Sequence, residues 1–128
     1  MSALAEITDP VIAININRTY SPTLSSQELY EFTRGIWRLN RIRADQAKYA
    51  FAVYQGEIKE VYEIKKWLSA GSTPYEFRIH SEAQTKGRFE FLGNLAEDMI
   101  RHRYLGKFLP EKHVQNPIKY FNCKRPSE

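Results

Sequence analysis

A single cysteine and three scattered histidines are all that this 128-residue chain offers in sulfhydryl and imidazole groups. Cys123 cannot form an internal disulfide, which fits a reducing cytosol, and next to a predicted closing strand it reads as a small buried hydrophobe rather than a nucleophile. His80, His102 and His113 lie far apart and lack metal-site spacing with the cysteine. There is no glycine-rich phosphate loop and no nucleophile elbow. No apolar run approaches the roughly 20 residues of a membrane-spanning helix, and the N-terminus lacks the basic and apolar regions of a signal peptide. These absences set the first expectations: no metal, no cofactor, no membrane partner, a cytoplasmic location, and a binding module rather than an enzyme.

What is present is ordinary in bulk and uneven in detail. A hydrophobic fraction of 42% and a charged fraction of 27% are those of a globular protein able to bury a core without staples. One domain over 1–128, with an ordered core of about 10–123, is expected. Nineteen Lys and Arg against fifteen Asp and Glu leave a net charge of +4. The excess is local: Arg34, Arg38, Arg41 and Arg43 occur within ten residues without an acid, and Lys65 and Lys66 directly precede Trp67. Such clusters suit a phosphate backbone, although a solvated face accounts for most short basic runs.

Hydrophobic periodicity predicts an α+β fold with a strongly curved mixed sheet or small barrel. Val11 to Asn17 is a β-branched buried strand. Ser25 and Glu28 have the spacing of a capping box, and a helix follows with Leu29, Phe32 and Ile36 in phase, fraying at Gly35. Ala44 to Lys48 is a short helical or irregular piece. Tyr49–Tyr54, a turn at Gln55-Gly56 and Glu57–Ile64 form the clearest hairpin. A strand at Tyr75–Ile79, a loop at Ser81–Lys86, a strand at Arg88–Gly93, a helix at Ala96–Tyr104 and a closing strand at Asn116–Phe121 complete the reading.

Arg34-Gly35-Ile36-Trp37-Arg38 carries the sharpest functional hint. A glycine in a helix interior costs about 1 kcal/mol relative to alanine, so the chain is expected to turn at Gly35 and present Trp37 from an irregular connection. A tryptophan between two arginines suits base stacking with a phosphate nearby. Trp67, just after the hairpin, occupies a similar place. The alternative for either is a core residue closing the end of the sheet. Glu57, Glu60 and Glu63 on the hairpin are conceivable catalytic carboxylates, but acids there usually face solvent.

The order of these motifs resembles the YTH domain of the PUA-like superfamily, which also contains EVE domains. Asn15-Ile16-Asn17, a helix and Gly35-Ile36-Trp37 stand where that family has a strand-ending polar pair, a helix and the first cage tryptophan. Leu39-Asn40, Ala50–Tyr54, Gln55-Gly56 and Val61–Ile64 leading to Trp67 follow the family's path to its second tryptophan, with rough counterparts at Phe89-Glu90-Phe91 and Asn116–Lys119. The likeness spans most of residues 11 to 121. Ile16-Asn17-Arg18 departs from the family's Ser-Asn pair, and the loop after Trp67 differs. The resemblance implies a module that recognises a modified base, above all a methylated one, flipped into an aromatic cage. Similar domains read RNA modifications or serve as the DNA-reading part of McrBC-type restriction systems, where an effector nuclease or other fused or neighbouring protein supplies the chemistry.

On this reading Asn17, Ile36, Trp37, Trp67 and Leu68 contact the base, and Arg18, Arg34, Arg38, Arg41, Lys65 and Lys66 contact phosphate. Burying one methyl is worth about 0.8 kcal/mol, and aromatic walls add roughly 1–3 kcal/mol of stacking. Both indoles are expected to line one apolar pocket near the end of the Val11–Asn17 strand. The rivals are a protein- or small-molecule-binding module on the same barrel and a small nucleotide-processing enzyme using the hairpin acids.

Overall fold

Val11–Asn15 forms β1, one strand in from the edge of a six-stranded mixed sheet. In the computed structural model, which describes residues 3–78, 80–110 and 117–124, the elements that follow are α1 (Ser26–Arg34), β2 (Gly35–Trp37), α2 (Arg41–Ala44), β3 (Tyr49–Tyr54) and β4 (Glu57–Ser69). After them come α3 (Glu82–Thr85), β5 (Phe89–Leu95), α4 (Asp98–Tyr104) and β6 (Ile118–Phe121). The strand order is β2-β5-β4-β3-β1-β6. Only β1 and β3 run parallel, so their connection must return to the same end of the sheet. That connection holds α1, β2 and α2, and it visits the far edge on the way. The sheet curls into a half-barrel flanked by the short helices.

Both faces of the central strands are buried, which is why β1 and β3 read as unbroken apolar runs. Alternation sends Ile12, Ile14, Ala50 and Ala52 to one core, where Leu29 and Tyr30 of α1 pack. The small alanines leave room for the helix there. Val11, Ala13, Phe51 and Val53 face the other core, where they meet Tyr104 of α4 and Ala5. The capping box that opens α1 is present, with Ser25 Oγ accepting from Glu28 N and Glu28 Oε1 accepting from Ser25 N, both at 3.1 Å.

A bulge in β4 decides where its later side chains go. Tyr62 and Trp67 are five residues apart, yet both enter the α1-side core. Strict alternation would put them on opposite faces, and the register shift between Ile64 and Lys66 absorbs the extra residue. Gly93 lies opposite Ile64 on β5, where a Cβ would sit 2.2 Å from the Glu63 carbonyl oxygen. A glycine is therefore required for the strands to close at the bulge.

Several elements differ from the sequence reading. The chain does not turn at Gly35; it enters β2 with extended geometry (φ −143°) and pairs with β5. β4 continues to Ser69, so Trp67 stands inside a strand rather than after one. The first helical piece after Trp37 is Arg41–Ala44, earlier than expected. Tyr75–Arg78 is not a strand, and Ile79 lies outside the described residues. Ser81–Lys86 is not a plain loop, because Ser81 and Gln84 form a second capping box around α3. The final strand starts at Ile118, and Asn116 is outside the described residues. His113 is outside them as well.

Gly93→Ala should lower stability by roughly 1–3 kcal/mol through overpacking against the β4 backbone. Urea unfolding of the two proteins measures this. Gly56→Ala, where no atom lies within 4 Å but φ is +81°, provides a comparison limited to backbone strain.

Candidate functional site

Two buried acids, neither of which the sequence marked, hold the region around Trp37 in place. Glu90 on β5 is fully buried. Its carboxylate accepts from Gly71 N at 2.8 Å and Tyr75 Oη at 3.1 Å, and from the Thr73 hydroxyl. Arg34, at the end of α1 and 3% exposed, lies 3.4 Å from it. The guanidinium also donates to Thr73 Oγ1 at 2.8 Å and Pro74 O at 3.1 Å, and lies 4.0 Å from the centre of the Tyr75 ring. Burial pushes the Tyr75 phenol well above its ordinary value; Glu90 adds to that and Arg34 opposes it.

Glu31, one turn earlier on α1, accepts from the backbone N–H groups of Glu76 and Phe77 at 3.0 and 2.8 Å and from Gln27 Nε2 at 2.9 Å. Burial alone would raise this carboxyl. The hydrogen bonds from Gln27, Phe77 and Glu76, together with the nearby charge of Arg34, outweigh it and hold the group below its usual range. Arg78 closes the end of α1 by donating to Gly35 O at 2.8 Å. The segment 71–78 is thus strapped across α1 and β5. A Cβ on Gly35 would fall 1.9 Å from the Tyr75 hydroxyl, so this close approach, and not a turn, is what demands glycine.

Next to the strap, Ile36 is buried with φ +68°. A β-branched residue in the left-handed region is strained, at a cost of order 1–3 kcal/mol. The strain coincides with the register shift between β2 and β5. It sets the half-buried Trp37 opposite Phe89, with the indole Nε1 donating to Thr33 O at 2.8 Å. Trp67 pairs with Phe91, two residues along the same strand, so both tryptophans rise from one face of the sheet. They differ in exposure. Trp67 is 3% exposed, donates to Ala44 O at 3.2 Å and meets Phe91 edge-on at 5.3 Å. Leu68 beside it is half-buried and lies opposite Glu90.

Other expected contacts do not converge here. Asn17 sits at the opposite end of the sheet, where its Oδ1 accepts from Gln55 N at 2.8 Å in the β3–β4 turn. Trp67 is ten residues along β4 from Glu57, or roughly 30 Å of strand. Arg18 stays with Asn17 in the turn after β1. The expectation that both indoles open near the end of β1 is therefore corrected: they belong to the end where β1 begins. Arg34 is spent on Glu90 and is not a free cation. Arg41 pairs with Asp45 at 3.1 Å and lies 5.8 Å from the Phe89 ring centre. Lys65 and Lys66 are exposed, and Asn94, with its amide turned, accepts from Lys65 Nζ at 3.1 Å. Arg38 is exposed beside Trp37.

The hairpin acids Glu57 and Glu60 are held in ion pairs. Glu60 binds Arg101 at 2.8 and 3.1 Å, and Glu57 pairs with Lys59 at 3.1 Å. No cluster of three metal-ligating side chains occurs among the described residues, and none of their helices is long and apolar enough to cross a membrane. One depression of about 290 Å³ lies between α1 and β4–β5, lined by Tyr30, Tyr62, Glu60 and Asn94 among others. Another, of about 370 Å³, includes Ser69, Lys86, Arg88 and Phe89. Neither of these two is lined by an indole.

Glu90→Gln, which leaves Arg34 buried without its counter-charge, should cost about 3–5 kcal/mol in a denaturant titration. Glu31 predicts a pH effect. Because its folded value is depressed, its contribution is complete above the ordinary value of 4.5 and fades as pH falls through the folded value. Glu31→Gln should therefore be less stable at neutral pH and lose less stability than the parent on acidification below about pH 4.5, as thermal melts across that range would record.

No protein-family model matches this chain, and no curated protein or solved structure matches it either.

Proposed function

We propose that the chain is a PUA-like module of the EVE or YTH kind that binds DNA or RNA carrying a modified, methylated base, with Trp37 as its stacking surface and no catalysis of its own. The observation that carries this reading is the left-handed Ile36 immediately before Trp37. A tryptophan needed only to fill the core does not require a strained neighbour. Strain of this size persists where surrounding structure over-determines it, and such places concentrate at ligand clamps. Here the over-determination comes from the Glu90–Arg34–Tyr75 strap, which fixes the chain before the strained residue, and from the pairing of Trp37 with Phe89 after it.

Trp67 has a different part in the proposal. At 3% exposure, with its N–H satisfied and its ring against Phe91, it belongs to the core and offers no free face to a base. Asn17 holds a distant turn, so base-edge recognition falls to groups near Trp37. A module of this kind needs an effector, fused or encoded nearby, to turn recognition into a response. A second reading, a small-molecule module, draws on the Tyr30–Tyr62 depression, whose volume of about 290 Å³ falls at the lower end of small-ligand sites.

Trp37→Ala should abolish discrimination between methylated and unmodified oligonucleotides while leaving residual, salt-sensitive binding, because phosphate contacts position a ligand without reading it. Trp67→Ala should instead lower stability by about 3–5 kcal/mol. Paired affinities and melting temperatures on both variants decide. A Trp37→Ala protein that melts much earlier yet keeps its methyl preference would return Trp37 to the core and remove the reading.

A further inference from the structure

Trp37 pairs with Phe89 at the end of the β2–β5 ladder. Continuing that antiparallel register by one residue sets Arg38 opposite Arg88. The Ala70 N–H donates to Arg88 O at 2.9 Å, so the strand path on the other side is still in register at this point. Like charges directly opposite each other across strands are destabilising. Neither guanidinium has a hydrogen bond or ion pair among the described residues, although Arg88 is half-buried. Lys86 lines the same depression of about 370 Å³ as Arg88 and Phe89, and its ammonium too lacks a partner among the described residues. Glu82 also lines that depression and forms no ion pair with either cation among them. Arg78 adds to the positive charge from the strap. Burial disfavours its charged form, as do Arg88 and Arg34, while Tyr75 and Glu31 oppose them.

We infer that Arg38 and Arg88, assisted by Lys86, form a clamp for phosphate oxygens at the end of the β2–β5 edge, on the face opposite the one that carries Trp37 and Phe89. The feature to explain is a pair of arginines, adjacent in the extended register, that both lack a counter-charge among the described residues. Arg34, Arg41, Arg101 and Arg103 each have a carboxylate within 4.0 Å. An oxyanion between the two guanidiniums would convert a repulsion into two charge-assisted, fork-shaped contacts. Lys86 would add a point charge from the neighbouring loop. The clamp rests on the proposed function for the identity of its ligand, a phosphodiester of the strand that passes round this edge from the base on Trp37; its anion chemistry stands on the arginines alone. Arg88 and Lys86 were not among the cations that the sequence singled out, since nothing in the chain order places 88 next to 38.

The test has a nucleic-acid arm and a free-phosphate arm. In the first, binding of a short single-stranded oligonucleotide with a methylated base is measured against salt for the parent and for Arg38→Gln/Arg88→Gln. The slope of log K against log salt should become shallower by about 0.7 for each phosphate that the variant no longer neutralises. If the parent binds and the slope is unchanged in the double variant, the clamp is overturned while the Trp37 reading survives. In the second arm, inorganic phosphate is titrated while the arginine Nε–Hε resonances are followed by NMR. A phosphate-dependent shift of the Arg88 signal, abolished in Arg38→Gln, together with no oligonucleotide binding, supports a free-phosphate clamp and removes the nucleic-acid reading. No response in either arm overturns both. Melting temperature gives the structural control: Arg88→Gln should melt at or above the parent temperature because a repulsion is relieved. A fall of several degrees would make Arg88 a fold-supporting residue and overturn the clamp.

Discussion

A fully buried carboxylate cannot be left without partners, and Glu90 is the one around which the Trp37 end of the molecule is organised. The group spans three separate segments: Arg34 from the end of α1, Gly71, Thr73 and Tyr75 from the loop after β4, and β5, which carries Glu90 itself. Satisfying one charge therefore locks three pieces of chain together. Replacing the whole group with apolar side chains of the same volume could be neutral in stability. What the ionic arrangement supplies is direction, since each donor must approach a particular oxygen. The loop then has one place to lie, across α1 and β5, and Glu31 fastens its far end.

Fixing that loop has a consequence for the strand it crosses. Tyr75 presses so closely on Gly35 that no larger residue fits, and the chain leaves Gly35 extended. To regain pairing with β5 it passes through the left-handed Ile36, and Trp37 emerges opposite Phe89. Trp67 meets Phe91 in the same core, two residues along β5. The proposed stacking surface and the proposed phosphate clamp are thus adjacent products of the same edge, β2 against β5. One supplies an aromatic face and the other supplies charge.

Much of the architecture was legible because it is written in local chemistry. Ser25 and Glu28 announced α1 through a reciprocal cap, the β-branched run from Val11 announced β1, and Gln55-Gly56 between an apolar run and a strand of mixed polarity announced the β3–β4 hairpin. Trp37 stood out in the sequence as an unusually placed aromatic, but its setting did not. A glycine at the end of a helix suggested a turn, whereas the reason for Gly35 is the Tyr75 hydroxyl, far along the chain. Arg34 looked like one more cation in a basic run. Its partner is 56 residues distant, and no local pattern pairs them.

The amino-acid order by itself determined the α+β class, most of the strands and helices, and the excess of positive charge, because propensity, capping and periodicity act between residues only a few positions apart. Which side chains meet was decided by the tertiary structure. A single extra residue at the β4 bulge reverses the facing of everything after it and turns Trp67 into the core. The parallel pairing of β1 with β3 sends Asn17 to one end of the sheet and the tryptophans to the other. Register and crossover are set by long-range packing of whole strands, and one displaced residue in either relocates a site without altering any local signal.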